Sequence, residues 1–170
     1  NTTGAENTTV GAYRLDANTT GDYNTAFGRS ALGSSTTADS NTATGYLSLF
    51  SNTTGATNTA VGRSALQNNT TAANNTAVGY KALLANTTGT SNTAVGHSAG
   101  LDLTEGGYNT LVGRFAGQNT TTGGSNTAIG YTALSVNTTG QYNTAAGREA
   151  GDIQILATFD VFLQRKLSKS

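Results

Sequence analysis

NTAVGYKALLANTTGTS, residues Asn75 to Ser91, is the stretch that decides the fold, because its pattern recurs along the chain at one fixed spacing. The Asn that opens each copy stands at Asn7, Asn24, Asn41, Asn58, Asn75, Asn92, Asn109, Asn126 and Asn143, always 17 residues after the last. A period held without slip over nine copies means that each copy is one structural unit stacked on its neighbour. The repeat covers residues 1–151, one elongated body, and a different text fills 152–170.

Composition removes several classes of function. Charged residues make up 11% of the 170 and the formal net charge is +0, so there is no basic stripe to follow a phosphate backbone, and nucleic acid is excluded as a partner. Disordered chains of low charge lack a residue-exact period with apolar residues confined to fixed columns. The absence of Cys removes disulfides, thiol catalysis and thiolate metal sites, and it is compatible with life outside the cell. No run approaches the ~20 apolar residues of a membrane-spanning helix, so membrane insertion is not expected. The chain opens at Asn1 in mid-repeat without an initiator Met, as expected of a processed or truncated piece.

Columns are numbered here from the opening Asn. Column two is Thr and column five is Gly in all nine copies, as in Thr25, Thr59 and Thr76 and in Gly28, Gly62, Gly79 and Gly96. An invariant Gly marks a backbone position with φ > 0 or a corner too tight for a Cβ. Column fifteen supplies a second corner, Gly except at Ala38 and Ala72. Column four is bulky and apolar (Val10, Phe27, Val61, Val78, Val95, Val112, Ile129), column eight is mainly Ala and column nine mainly Leu. Columns four and nine together predict a narrow core that only stacked units could bury.

The unit is short for a helical repeat, and NTAV reads as a strand with Thr and Val on one face and Asn and Ala on the other. GYKALLA admits a turn of helix, opposed by the surrounding Gly and Thr. The fold class expected is all-β: a parallel β-solenoid of about nine 17-residue coils with a non-repeat C-terminal segment. At about 4.8 Å per coil the rod is roughly 43 Å long. Each column then becomes a ladder. Asn24, Asn58, Asn75, Asn92 and Asn126 are expected to pass amide hydrogen bonds from coil to coil, and the Thr of column thirteen to do so with hydroxyls.

Column six holds Arg29, Tyr46, Arg63, Tyr80, His97, Arg114, Tyr131 and Arg148. No two Arg are neighbours, and Arg stacked between Tyr rings gains about 0.5–1 kcal/mol at an exposed site. The column reads as a solvent-facing stabilising ladder or as a recognition stripe for a receptor or glycan. In the C-terminal text, Ile153, Ile155, Phe159, Val161 and Leu163 alternate with mostly polar residues, predicting a strand that caps the solenoid or mediates assembly; three-four spacing of Leu156, Phe159, Leu163 and Leu167 also admits a helix. The exposed Asn1 end and this segment predict end-to-end association.

No nucleophile–base pair is present, the single His97 sits in the Arg/Tyr column, and the acidic residues do not repeat as a calcium site would, so neither an enzyme, a metal site nor a cofactor is expected. Asn-x-Thr sequons at Asn1, Asn7, Asn18, Asn52, Asn86 and Asn137 are glycosylation acceptors or simply parts of the ladders.

The units NTAVGYKAL, NTAVGRSAL and NTAIGYTAL resemble the repeats of trimeric autotransporter adhesin heads and of related phage tail-fibre proteins. That resemblance, over residues 1 to about 151, implies a left-handed parallel β-roll, commonly three chains side by side, on a cell surface or virion. Coils in those heads are shorter, whereas the Gly corners here alternate seven and ten residues apart. The function expected is a non-enzymatic structural or adhesive fibre module, extracellular and self-associating as a homotrimer or an end-to-end filament, with a cell-surface receptor or glycan as a further partner. The alternative is an ice-binding β-solenoid using the Thr ladders.

Overall fold

The computed structural model describes residues 2–152 and 161–163. Nine three-residue strands recur every 17 residues: β1 (Thr8–Val10), β2 (Thr25–Phe27), β3 (Thr42–Thr44), β4 (Thr59–Val61), β5 (Thr76–Val78), β6 (Thr93–Val95), β7 (Thr110–Val112), β8 (Thr127–Ile129) and β9 (Thr144–Ala146). Each pairs in parallel with the next, column upon column, as in Thr76 opposite Thr93 and Val78 opposite Val95. The chain is an all-β parallel solenoid, one coil per repeat, with no helix among the described residues. Residues 80–85, where a turn of helix was conceivable, form turns.

The sequence pattern stops at Gly151, but the stacking does not. A tenth strand, β10 (Val161–Leu163), lies in parallel on β9 with Val161 opposite Thr144, which is 17 residues earlier. Val161 and Leu163 thus continue columns two and four. Ile153, Ile155 and Phe159 lie outside the described residues.

One expectation is corrected. The apolar residues of column four point outward: Val10, Phe27, Val61, Val95 and Ile129 are 37–54% exposed. The core is made instead by Ala of columns three and eight and Leu of column nine, such as Ala77, Ala82 and Leu83. Asn takes the inward face because its amide answers two backbone groups that the tight coil leaves open. Asn75 Nδ2 donates to the Gly89 carbonyl at 2.9 Å, and Asn75 Oδ1 accepts the Asn92 N–H at 2.9 Å. With Asn in column one turned inward, the two-residue alternation of the strand forces column three in and column four out. A buried unpaired backbone donor costs ~1–3 kcal/mol, comparable to the gain from burying one Val, so the amide decides the face.

Column five has the conformation its Gly predicts, φ between 124° and 139° in every coil. A Cβ there would collide with the next coil, 2.7 Å from the Gly45 carbonyl oxygen in the case of Gly28. Columns seven, nine and seventeen are also left-handed, and mostly without Gly: Leu32, Leu49, Leu66 and Leu83 have φ of 49–51°. Closing a coil in so few residues requires these reversals, each at a cost of about 1 kcal/mol.

Core volume is exchanged between columns where the repeat varies. Column nine loses its Leu at Gly100 and Gly117, and the strand between them carries Leu111 where the other strands have Ala or Thr. A Cβ on Gly117 would lie 2.7 Å from Leu111 Cδ2, and one on Gly100 2.8 Å from Leu111 Cδ1. Leu111 from the strand fills the space of the missing leucine at Gly117, and shares with Leu83, whose Cδ2 is also 2.8 Å from a Cβ on Gly100, the space at Gly100.

Candidate interaction surfaces

With the backbone of every coil stacked on the next, only the outward columns are free to meet a partner. Three inward or edge ladders bind the coils to one another. The Asn of column one links all coils from Asn7 to Asn143 through N–H···Oδ1 bonds of 2.8–3.0 Å. Direct amide-to-amide bonds are added at some steps, such as Asn58 Nδ2 to Asn41 Oδ1 at 3.2 Å. A second Asn ladder in column twelve runs from Asn86 to Asn69 to Asn52, at 2.9 and 2.8 Å. In column thirteen the Thr hydroxyls from Thr2 to Thr121 each donate to the carbonyl of the Thr one coil on, as Thr53 Oγ1 does to Thr70 at 3.0 Å. The sequons at Asn18, Asn52, Asn86 and Asn137 therefore have their amides buried, at most 1% exposed, and pointing away from any transferase.

Column six lies on the surface, and its members touch. Arg29 sits 5.9 Å from the ring centroids of both Tyr13 and Tyr46, and Arg63 5.7 and 5.8 Å from Tyr46 and Tyr80. His97 packs on Tyr80 at 5.0 Å and edge-on to Phe115 at 5.4 Å. Phe115 meets Tyr131 at 6.4 Å, and Arg114 and Arg148 lie 6.0 and 5.6 Å from Tyr131. The stack is continuous from Tyr13 to Arg148. Two of its rings, Tyr13 and Phe115, come from column seven, which turns to the same side because its backbone is left-handed, at φ 53° and 61°.

The strand face is the second outward surface. Thr of column two is exposed in β1 and half-buried in β2 to β9, and beside it runs the apolar column four. In-register parallel strands place these residues in one strip, so Val61, Val78, Val95, Val112 and Ile129 follow one another at about 4.8 Å per coil. No group of three or more His, Cys, Asp or Glu that could hold a metal is found among the described residues. No helix among them is long and apolar enough to cross a membrane. Compared with known protein families, curated proteins and solved structures, the chain matches none.

Proposed function

We propose that this chain is a non-enzymatic rod module of an extracellular fibre, structural or adhesive, that associates with further copies of itself on a cell surface or virion. The observation that carries the reading is the outward apolar strip of column four, with Phe27 54% and Ile129 46% exposed on a rod whose polar Asn columns are buried. A contiguous exposed apolar strip marks an interaction site. Another copy fits it, because both strips carry the same bulky side chains at the same axial period and can interdigitate along their whole length. Side-by-side packing through this strip gives a homotrimer or a bundle, and stacking through the strand edges gives a filament. The Arg/Tyr stripe from Arg29 to Arg148 remains outward for a receptor or glycan.

Light scattering of the purified chain beside Val61→Lys/Val95→Lys/Ile129→Lys tests the reading. An assembled wild type and a folded monomeric triple variant support it; a wild type that stays monomeric at every concentration reached defeats it.

Ice binding is the second reading, and it draws on the nine outward Thr of column two. Its flat array has one defect: the adjoining outward column is Val, Phe or Ile in seven strands, and Thr only at Thr44. The hydroxyls of column thirteen are already donated to the next coil. A thermal-hysteresis assay separates the two readings.

A further inference from the structure

We propose that the trough flanked by Tyr108 and Tyr142 is a binding site for a neutral saccharide of one or two pyranose rings. The proposal rests on the adhesive reading above and gives it a site. The other coils serve as internal controls: a residue that departs from its column stands out. Gly107 and Gly124 are such departures. Their column carries Asp39, Ala56 and Thr90 in other coils and neither glycine has a positive φ, but here the coils stack closely: a Cβ on Gly107 would lie 2.9 Å from the Thr90 carbonyl oxygen and one on Gly124 3.1 Å from the Gly107 carbonyl oxygen. In the first coils this column knits the stack, with Asp39 Oδ1 accepting the Asp22 N–H at 2.8 Å. Gly107 and Gly124 carry no side chain in this column.

What the two glycines open is a hollow of about 360 Å³ along the rod, at the lower end of the range of small-molecule sites. Tyr108 and Tyr142, 71% and 55% exposed, stand on one flank, two coils apart. Glu105 stands on the other, the one departure in a column that is otherwise Thr from Thr3 to Thr139, and Gln141 closes the end. None of these four side chains is engaged in a hydrogen bond with the described residues. Exposed rings with free carboxylate and amide groups match the two-sided chemistry of a sugar. The C–H face of a pyranose packs on Tyr, and its hydroxyls donate to Glu105 and exchange hydrogen bonds with Gln141. Glu105 is the only ionised group of the lining, so anionic sugars are repelled and neutral ones accepted.

Saturation-transfer NMR of the full chain with lactose, maltose, cellobiose and N,N′-diacetylchitobiose, and with sialyllactose as the acidic counterpart, tests the assignment. The expected result is transfer to at least one neutral disaccharide and less to sialyllactose. Apparent affinity should fall at least about tenfold, or ~1.4 kcal/mol, in Tyr142→Ala and in Gly124→Asp. Tyr23→Ala, on the same column but outside the trough, should bind as the wild type does. Gly124→Asp places a Cβ 3.1 Å from the Gly107 carbonyl oxygen, a contact that a shift of a few tenths of an ångström relieves, and an unchanged circular dichroism spectrum checks that the fold is kept. Transfer to none of the sugars, or transfer that survives both substitutions, overturns the site. Chains that still self-associate in the light-scattering experiment but bind no sugar overturn the trough alone, not the fibre reading.

Discussion

Leu111→Ala should leave a void that replacing a single glycine, Gly117→Leu, can refill. Leu111 is fully buried on β7, and its Cδ atoms occupy the space that Leu holds in column nine of other coils. Truncating it alone removes a buried isopropyl group from a core of Ala and Leu that has little else to collapse inward, at a cost of about 3–4 kcal/mol. Gly117→Leu alone drives a side chain into Leu111, whose Cδ2 would be 2.7 Å from the new Cβ, and overpacking of this kind costs about 1–3 kcal/mol. Backbone strain adds little, because Gly117 has φ 58° and the leucines of the same column sit at 48–52°. The double variant puts one Leu back into the coil, as in the coils of Leu66 and Leu83, and should lie within about 1 kcal/mol of wild type. Favourable coupling of at least roughly 2 kcal/mol is therefore expected. Denaturant melts of the four proteins measure it. Additive losses, with the double variant the least stable of the set, would refute the exchange of volume between strand and turn.

Asn75→Ala removes the acceptor for the Asn92 N–H, leaving that buried donor unpaired, and one of the two amide donors to the Gly89 carbonyl, which keeps Asn86 Nδ2 at 3.0 Å; a loss of about 1–3 kcal/mol is expected in the same melts. Thr132→Gly should stabilise the chain by about 1 kcal/mol, seen as a higher melting temperature, because a β-branched residue at φ 52° with a buried, unpartnered hydroxyl is relieved of both. Arg63→Ala breaks two cation–π contacts at an exposed site and should cost no more than roughly 1–2 kcal/mol while leaving the circular dichroism spectrum unchanged.

The architecture was legible because every structural position occurs many times over. Gly28, Gly62 and Gly79 announce a corner by recurrence alone, and the parallel register of β1 to β9 follows from a period without slip. The facing of the strand was not legible. In Asn75-Thr76-Ala77-Val78 the alternation offers two faces, and burying Val78 is the better choice until one counts the Asn92 N–H and the Gly89 carbonyl that the Asn75 amide pairs. Nor did any residue type mark the left-handed turns, since Leu, Ser, Lys and Phe occupy columns seven and nine; chain closure imposes them. The Arg/Tyr stripe was readable from Arg29, Tyr46 and Arg63, but Tyr13 and Phe115 join it only through the twist of column seven. The trough left a signal in the sequence, the lone Glu105 and the Gly pairs at 106–107 and 123–124, whose meaning depends on which columns meet in space.

Deleting residues 75–91 tests most directly that one repeat is one coil. The cut joins Asn74 to Asn92 and keeps every later residue in its column, so the shortened chain should fold to the same circular dichroism spectrum per residue and melt cooperatively. Deleting 75–90 instead shifts all later residues by one column, turns Ala94 out, puts Val95 at the column-five corner where a Cβ collides with the next coil, and breaks the Asn ladder; that chain should melt far lower or fail to fold. Two deletions that behave alike would contradict the stacking of coils in register.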